Sequence, residues 1–321
     1  MTTTVIIISG ATGTGKTAVG AALSTMIDGE IISADSRQVY RYLDIGTNKS
    51  GTWEPNTRLR RFHGIAQHLT DLIDPSETFS AGSFLEHAVP RCLEIISRGK
   101  TPVIVGGTGL YIKAICDGLS ILPTSDPRIR QQLATEMSAQ GQTYLFEQLR
   151  LVDPVSAEKN QYNPQRLMRA LEVFRLTGIP LSHLHETVKK PTNYRFLQCN
   201  LDWPRTELYE LLNKRVADMF NAGLIAETRD ALSRGFSHSD PGLEGIGYRH
   251  IIHHLNNTLS LADAIEQTRR DTRHYAKRQI TWFRNDSRIH YISCTQATFE
   301  PTSIAQKIAS LLNGLTKTGV L

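Results

Sequence analysis

The residues best equipped for chemistry come early in the chain. Gly10, Ala11, Thr12, Gly13, Thr14, Gly15, Lys16 and Thr17 spell GxxxxGK[ST], directly after an apolar β-branched run at 5–9 and before a helical stretch with Val19, Leu23 and Met26 on one face. Glycines at these positions let the backbone wrap a phosphate chain so that several N–H groups point inward. The N-terminus of the following helix adds roughly half a positive charge. Lys16 supplies a full charge, and the Thr17 hydroxyl suits a magnesium ion. The segment reads as a phosphate cradle.

A cradle does not say which phosphate it holds. A hydrolytic member of this class needs a further acid on the metal and a group that positions water. The apolar run 102–105 closes on Gly106-Gly107 and offers no carboxylate. Asp35, ending the short run 30–35, is the only acid closing a clear strand early in the chain. Ser36-Arg37-Gln38 after it look like a substrate reader more than a metal site. Such a loop suggests either a phosphate-bearing leaving group or a phosphoryl donor.

A second feature lies further on. Arg269, Arg273 and Lys277 recur at i, i+4 and i+8, with Arg270, His274 and Arg278 beside them, and Trp282, Phe283 and Arg284 close the segment. Like charges at that spacing destabilise a helix by roughly 0.2–0.5 kcal/mol per pair. A solvated face explains such a stripe poorly though it stays open; a basic stripe near aromatics fits a phosphate backbone, and an acidic partner within the chain is the third reading. Arg166 and Arg169, on the face opposite Leu167, form a second basic patch.

These groups need a scaffold. The 321 residues suit one large or two modest domains, and 40% hydrophobic with 21% charged residues is ordinary for a soluble globular chain. Apolar runs at 5–9, 30–35, 102–105 and 196–202 alternate with helical stretches. That pattern implies an α/β fold: a P-loop NTPase-like parallel sheet with helices on both faces. Ligands of such sheets bind beyond the carboxyl ends of the strands, so Gly10, Asp35 and Gly106 should converge. Pro123, Asp126 and Pro127 mark a break into helical sequence. There Asn163-Pro164 reads as an N-cap and first-turn proline, and Leu167, Leu171 and Phe174 share a face up to Gly178. A polar linker is expected over 181–192. The reading is a discontinuous core, 1–118 and 196–321, carrying basic helices at its end, with a helical insertion at 119–195.

Several classes drop out. No run of about 18 apolar residues predicts a spanning helix, and the start lacks the pattern of a signal or transit peptide. Cys92, Cys116, Cys199 and Cys294 stand far apart, which predicts neither a disulfide framework nor a zinc site. They suit buried thiols in a reducing compartment, so a cytoplasmic location is expected. A net charge of +5 permits a polyanionic partner without demanding one.

With those motifs in place, the chain resembles the tRNA dimethylallyltransferase family, enzymes that isopentenylate an adenosine beside the anticodon. The resemblance rests on the Gly10–Thr17 loop, on Asp35-Ser36-Arg37-Gln38-Val39-Tyr40, and on Leu43-Asp44-Ile45-Gly46-Thr47. It continues through Gly106-Gly107-Thr108-Gly109-Leu110-Tyr111, Asn163-Pro164-Gln165-Arg166-Leu167, and Ala276-Lys277-Arg278-Gln279-Ile280-Thr281-Trp282. It implies a dimethylallyl diphosphate donor held by the loop with Lys16, Thr17 and Mg2+, and clamped by Arg215. Asp35 would accept the proton of the target amine, a role that suits an ionised carboxylate, and Thr108 would contact the leaving group or the adenosine. Diphosphate and N6-(dimethylallyl)adenosine at position 37 would be the products, in tRNAs reading codons that start with U.

The resemblance also implies an RNA surface. It would comprise Asp35, Ser36, Arg37, Gln38, Thr108, Arg130, Gln165, Arg166, Leu167, Met168 and Arg169. Glu244, Gly245, Ile246, Gly247, Tyr248 and Arg249 would join it, with Lys277, Arg278, Gln279, Ile280, Thr281, Trp282, Phe283 and Arg284. The partner would be a tRNA anticodon stem-loop with its base flipped out; no membrane is involved, and the enzyme is expected to be a monomer. The cradle would also attract ATP. The chain departs from the family at Ala66-Gln67-His68-Leu69, where Pro-His-His-Leu is usual, and at Asn48, Ser50 and Glu244. His68 is expected to fill a structural position. Rival readings are an adenylate isopentenyltransferase acting on free nucleotides, a P-loop kinase for a small metabolite, and an RNA-binding nucleotide switch. The basic stripe and insertion disfavour the first two, and the absence of an NKxD-type base motif disfavours the third.

Overall fold

The computed structural model describes residues 4–120, 122–185, 188 and 190–317, with side chains through 314. The chain divides into two compact units, 1–116 with 192–321, and 117–191; the sequence reading set those limits at 119 and 195. Among the described residues no helix is long and apolar enough to cross a membrane.

In the first unit β1 (Thr4–Gly10) runs into α1 (Lys16–Met26) and β2 (Gly29–Ser33). Next come β3 (Thr52–Glu54), β4 (Leu59–Phe62), β5 (Ile65–His68), α2 (Ala81–Ser97), β6 (Thr101–Gly106) and α3 (Gly109–Asp117). The second unit holds α4 (Pro127–Val152), α5 (Pro154–Asn160), α6 (Pro164–Thr177) and α7 (Leu181–Leu184). The chain then returns through β7 (Arg195–Asp202), α8 (Arg205–Asn221), α9 (Leu224–Ser233), α10 (Tyr248–Leu255), α11 (Leu261–Phe283), β8 (His290–Ser293) and α12 (Pro301–Lys317).

The strands form one sheet in the order β3-β4-β5-β2-β6-β1-β7-β8. From β5 to β8 every pairing is parallel, while β3, β4 and β5 pair antiparallel. In β1, Val5, Ile6, Ile7 and Ile8 are all wholly buried. Alternate residues of a strand point to opposite faces, so this sheet is covered on both. Ile6 and Ile8 pack with Val19 and Leu23 of α1, Leu208 and Leu212 of α8, and Ile304 and Ile308 of α12.

Three stretches differ from the sequence reading. Residues 52–68, in which no strand was read, form β3, β4 and β5; strands of three and four residues, with Arg60 and Arg61 in β4, are too short and charged to show a period. No element was read after Arg284, yet β8 extends the sheet and α12 packs on α1. The Glu300 carboxylate caps α12 by accepting from Thr302 N at 2.9 Å. Part of the expected linker, 181–184, is the short helix α7, and residues 186, 187 and 189 of it lie outside the described residues.

The second unit has its own core. Leu133, Leu145, Leu149, Leu167, Leu171 and Val173 pack together. As expected, the Asn163 side chain caps α6 by accepting from Arg166 N, Pro164 opens the helix, and Gly178 closes it in the left-handed conformation.

Candidate active site

The cradle is shaped by its own hydrogen bonds and by packing. Gly15 stands at φ 81°, and a Cβ there would lie 2.1 Å from the Phe299 ring, so a side chain is excluded on both counts. Thr14 Oγ1 donates to Ala11 O at 2.9 Å, and Lys16 Nζ donates back to the same carbonyl at 2.6 Å. From α8, Arg215 Nη2 donates to Thr12 Oγ1 at 2.9 Å. Arg215 Nε is buried without a hydrogen-bond partner.

Two cations thus meet in a desolvated loop. Burial lowers Lys16 to about 8; Asp35 opposes that shift and Arg215 adds to it. Burial likewise lowers Arg215 to about 10, opposed by Asp35. Two adjacent buried cations and an unpaired guanidinium N–H are what an anion would satisfy.

The strand ends converge as expected. Thr108 N donates to Ala34 O at 3.1 Å, and Ser36 N donates to Thr108 Oγ1 at 3.0 Å. Asp35 Oδ1 accepts from Arg37 N at 2.8 Å, and Arg37 Nη1 donates to Pro241 O at 2.8 Å. Gln38 Oε1 accepts from Ser33 Oγ, and its amide donates to Asn48 O at 3.2 Å.

A third segment locks the other two. Gln279 of α11 accepts from Thr12 N at 2.7 Å and donates to Gly107 O at 2.8 Å. A Cβ on Gly107 would lie 2.3 Å from the Gln279 amide nitrogen, which is why glycine is needed there. Replacing Gln279 by leucine orphans the buried Gly107 carbonyl, at about 1–3 kcal/mol, and frees the part-buried Thr12 N–H. The expected outcome for Gln279→Leu is a lower denaturation midpoint together with a weaker affinity for inorganic diphosphate. Wild-type values for both would show that the cradle keeps its shape unaided.

Two cavities open around these residues, each of about 250 Å3. One holds the cradle, with Lys16, Thr17, Gln38 and Ser50 on its walls. The other is lined by Arg37, Met219, Leu224, Ile246, Tyr248 and Tyr275, among others. Thr12, Asp35, Thr47, Asn48 and Arg215 line both. An anion in the first and an organic acceptor in the second would therefore meet at Asp35.

A profile of the IPP transferase family matches residues 38–286. The chain belongs to the IPP transferase family. It is 45% identical over 280 residues to the tRNA dimethylallyltransferase of Endomicrobium trichonymphae, covering 87% of this chain and 91% of that one. With the tRNA dimethylallyltransferase of Carboxydothermus hydrogenoformans the identity is 41% over 312 residues, 96% of this chain and 97% of the relative. The crystal structure of the full-length tRNA isopentenylpyrophosphate transferase of Bacillus halodurans matches with a TM-score of 0.71 at 33% identity, covering both chains completely. That of a eukaryotic dimethylallyltransferase acting on tRNA matches with 0.80 at 26% identity, covering 98% of this chain and 80% of that one.

Within this IPP transferase the expected RNA surface divides. Ser36, Arg37 and Gln38 surround the cavities, and Glu244, Gly245, Ile246, Gly247, Tyr248, Arg249 and Arg278 line the second one. Lys277, Ile280, Thr281 and Arg284 line a separate cavity of about 390 Å3 with Arg205 and Tyr209. Trp282 is 41% exposed. Leu167 and Phe283 are buried, so their side chains belong to packed interiors and not to an RNA-facing surface; Gln279 is spent on the cradle.

The two basic patches are less open than their sequence suggests. Arg273 donates to Asn213 Oδ1 at 2.6 Å and pairs with Glu266, as does Arg269, while Arg270 pairs with Asp271. Arg249 is also held by Asp271. In the second unit, Gln165 and Arg166 are exposed and Met168 packs on the core. Arg169 and Arg130 both reach the wholly buried Glu172, at 2.7 and 3.4 Å. Glu266 shares α11 with the arginines it pairs, whereas Glu172 of α6 meets Arg169 of its own helix and Arg130 of α4, and only the folded geometry shows which charges meet.

Other positioning residues left no trace in the sequence. Glu227 of α9 accepts from the backbone N–H groups of Asp44, Ile45 and Gly46 at 2.8, 2.7 and 3.0 Å, and from Tyr248 Oη at 2.6 Å. It thereby holds the Leu43–Thr47 block against the second cavity. Tyr275 stands near Thr108 and Asp35, and burial, reinforced by the Asp35 charge, pushes its phenol up to about 12. At neutral pH it is uncharged. His68 is buried against Glu30 at 2.7 Å, as a structural position requires, and the divergent Gln67 and Ser50 touch each other through Gln67 Nε2 and Ser50 O at 2.9 Å.

Proposed function

We propose that this chain transfers the dimethylallyl group of dimethylallyl diphosphate to N6 of adenosine 37 in tRNAs reading codons that start with U. The observation that carries the reading is the pair of cavities sharing Asp35, Thr12 and Arg215, one walled by Lys16 and the glycine-rich loop and the other lined by Arg37, Met219 and Tyr248. Diphosphate would lie in the cradle on the loop N–H groups, Lys16 and Arg215. The flipped adenine would enter the second cavity, where its amine attacks the allylic carbon. The C–N bond forms as the C–O bond to diphosphate breaks, and Asp35 takes the amine proton. Lys16 and Arg215 offset charge that grows on the departing oxygens. Thr108 lines neither cavity; its Oγ1 accepts from Ser36 N, so it would act by holding the turn that carries Asp35.

Magnesium fits this arrangement. Thr17 and Asp35 line the cradle cavity, and no group of three or more acidic, histidine or cysteine side chains occurs among the described residues. Hard oxygens from one or two protein groups, with phosphate and water completing the shell, are the usual magnesium environment. Bound there, the ion would neutralise the diphosphate.

The deciding experiment supplies Mg2+, labelled dimethylallyl diphosphate and either tRNA bearing A36-A37 or free AMP. Label is expected in the tRNA. Transfer to AMP alone would replace this reading by an adenylate isopentenyltransferase.

A further inference from the structure

We propose that Met219 sets the length of the prenyl chain this enzyme accepts, an inference that rests on the proposed function. The two cavities differ in character. The cradle cavity is walled mainly by polar groups that suit phosphate oxygens, Lys16, Thr17, Gln38 and Ser50 among them, with Phe62 and Val105 beside them. The other cavity also carries charged groups, Arg37, Glu244 and Arg249 among them, but has a more extensive apolar wall in Met219, Leu224, Ile246 and the ring of Tyr248. An allylic diphosphate anchored in the cradle therefore directs its hydrocarbon tail past Arg215 into the second cavity.

Helix α8 measures that tail. Arg215, which binds Thr12 of the cradle, and Met219 stand four residues apart on one helix face, separated by a rise of about 6 Å. A five-carbon prenyl chain reaches roughly the same distance from its diphosphate oxygen, and each further isoprene unit adds about as much again. Arg215 lines both cavities, whereas Met219 lines only the second. Behind Met219 the wall is fixed, since Leu224 and Tyr248 are each 1% exposed and packed with Leu43 and Ile251. A ten-carbon tail along α8 would collide with the Met219 side chain. That tail must also share about 250 Å3 with the acceptor base.

The test compares transfer from dimethylallyl diphosphate and geranyl diphosphate to tRNA. Shortening the side chain, as Met219→Ala and Met219→Gly, is expected to raise the geranyl-to-dimethylallyl ratio of kcat/KM by roughly 10-fold or more, the scale on which an apolar pocket discriminates chain length. Met219→Leu should keep the wild-type ratio. Met219→Phe fills the space instead: it should raise the KM for dimethylallyl diphosphate while inhibition by inorganic diphosphate, which has no tail, stays as in wild type. That variant tests the gate even if the shortened ones do not fold. An unchanged donor ratio in variants that still transfer the five-carbon group overturns the gate and leaves the proposed function standing. A raised KM for tRNA with no change for either donor also overturns it, placing Met219 against the base. If the unaltered protein prenylates no tRNA, both fall.

Discussion

Asp35→Asn is expected to lower the single-turnover rate of prenyl transfer by roughly 10²–10⁴-fold, the usual contribution of a positioned general base, while tRNA binding persists. The asparagine is isosteric, and its carbonyl can still accept from Arg37 N as Asp35 Oδ1 does at 2.8 Å. The turn that carries Ser36, Arg37 and Gln38 therefore survives. What is lost is a proton acceptor at the junction of the two cavities, and with it the counter-charge to Lys16 and Arg215. Rapid-quench transfer and filter binding on the same preparation separate the two effects. A collapse of binding with the rate intact would remove Asp35 from the proton transfer.

Lys16→Met should cost roughly 10²–10³-fold in kcat/KM, since it deletes a donor aimed at the charge that develops on the leaving group. The wild-type lysine also predicts two opposite pH trends. Lys16 in the free protein is lowered from 10.5 to about 8, mainly by burial. Above pH of about 8 the amine is neutral, so diphosphate must bring a proton with it and its affinity falls. Stability moves the other way. Between about 8 and 10.5 the unfolded chain holds a proton that the native chain lacks, so this group makes native stability rise with pH across that window and contributes no slope below it. Calorimetric titration of inorganic diphosphate and denaturant unfolding, each at pH 7, 8 and 9, read the two slopes on either side of the transition. In Lys16→Met both contributions should vanish. A flat affinity profile in the wild type would show that Lys16 keeps its proton in the empty cradle.

How legible the site was depended on how local each signal is. The cradle, the N-cap at Asn163 and the strand ends at Asp35 and Gly106 are written in a few consecutive residues, because turn geometry and strand burial act over that range. The β3–β4 hairpin failed that test, since pairing partners such as Trp53 and Arg60 are set by the fold and not by a period. The basic stripe is a different case. Its spacing in the sequence was correct, but its meaning changed once Glu266 and Asp271 were found beside Arg269, Arg273 and Arg270.

By itself the sequence determined that a glycine-rich loop shaped for a phosphate stands at Gly10–Thr17, that an acid stands at the end of the next strand, and that basic residues recur over 269–284. Those are properties of residue order. Which groups face one another was decided only by tertiary structure: Gln279 joined to Thr12 across 267 positions, Arg215 across 203, and Glu227 to Asp44 across 183. Contacts at such separations exist only once the sheet brings its strand ends to one edge, and the cavity where Asp35 meets Arg215 exists only there.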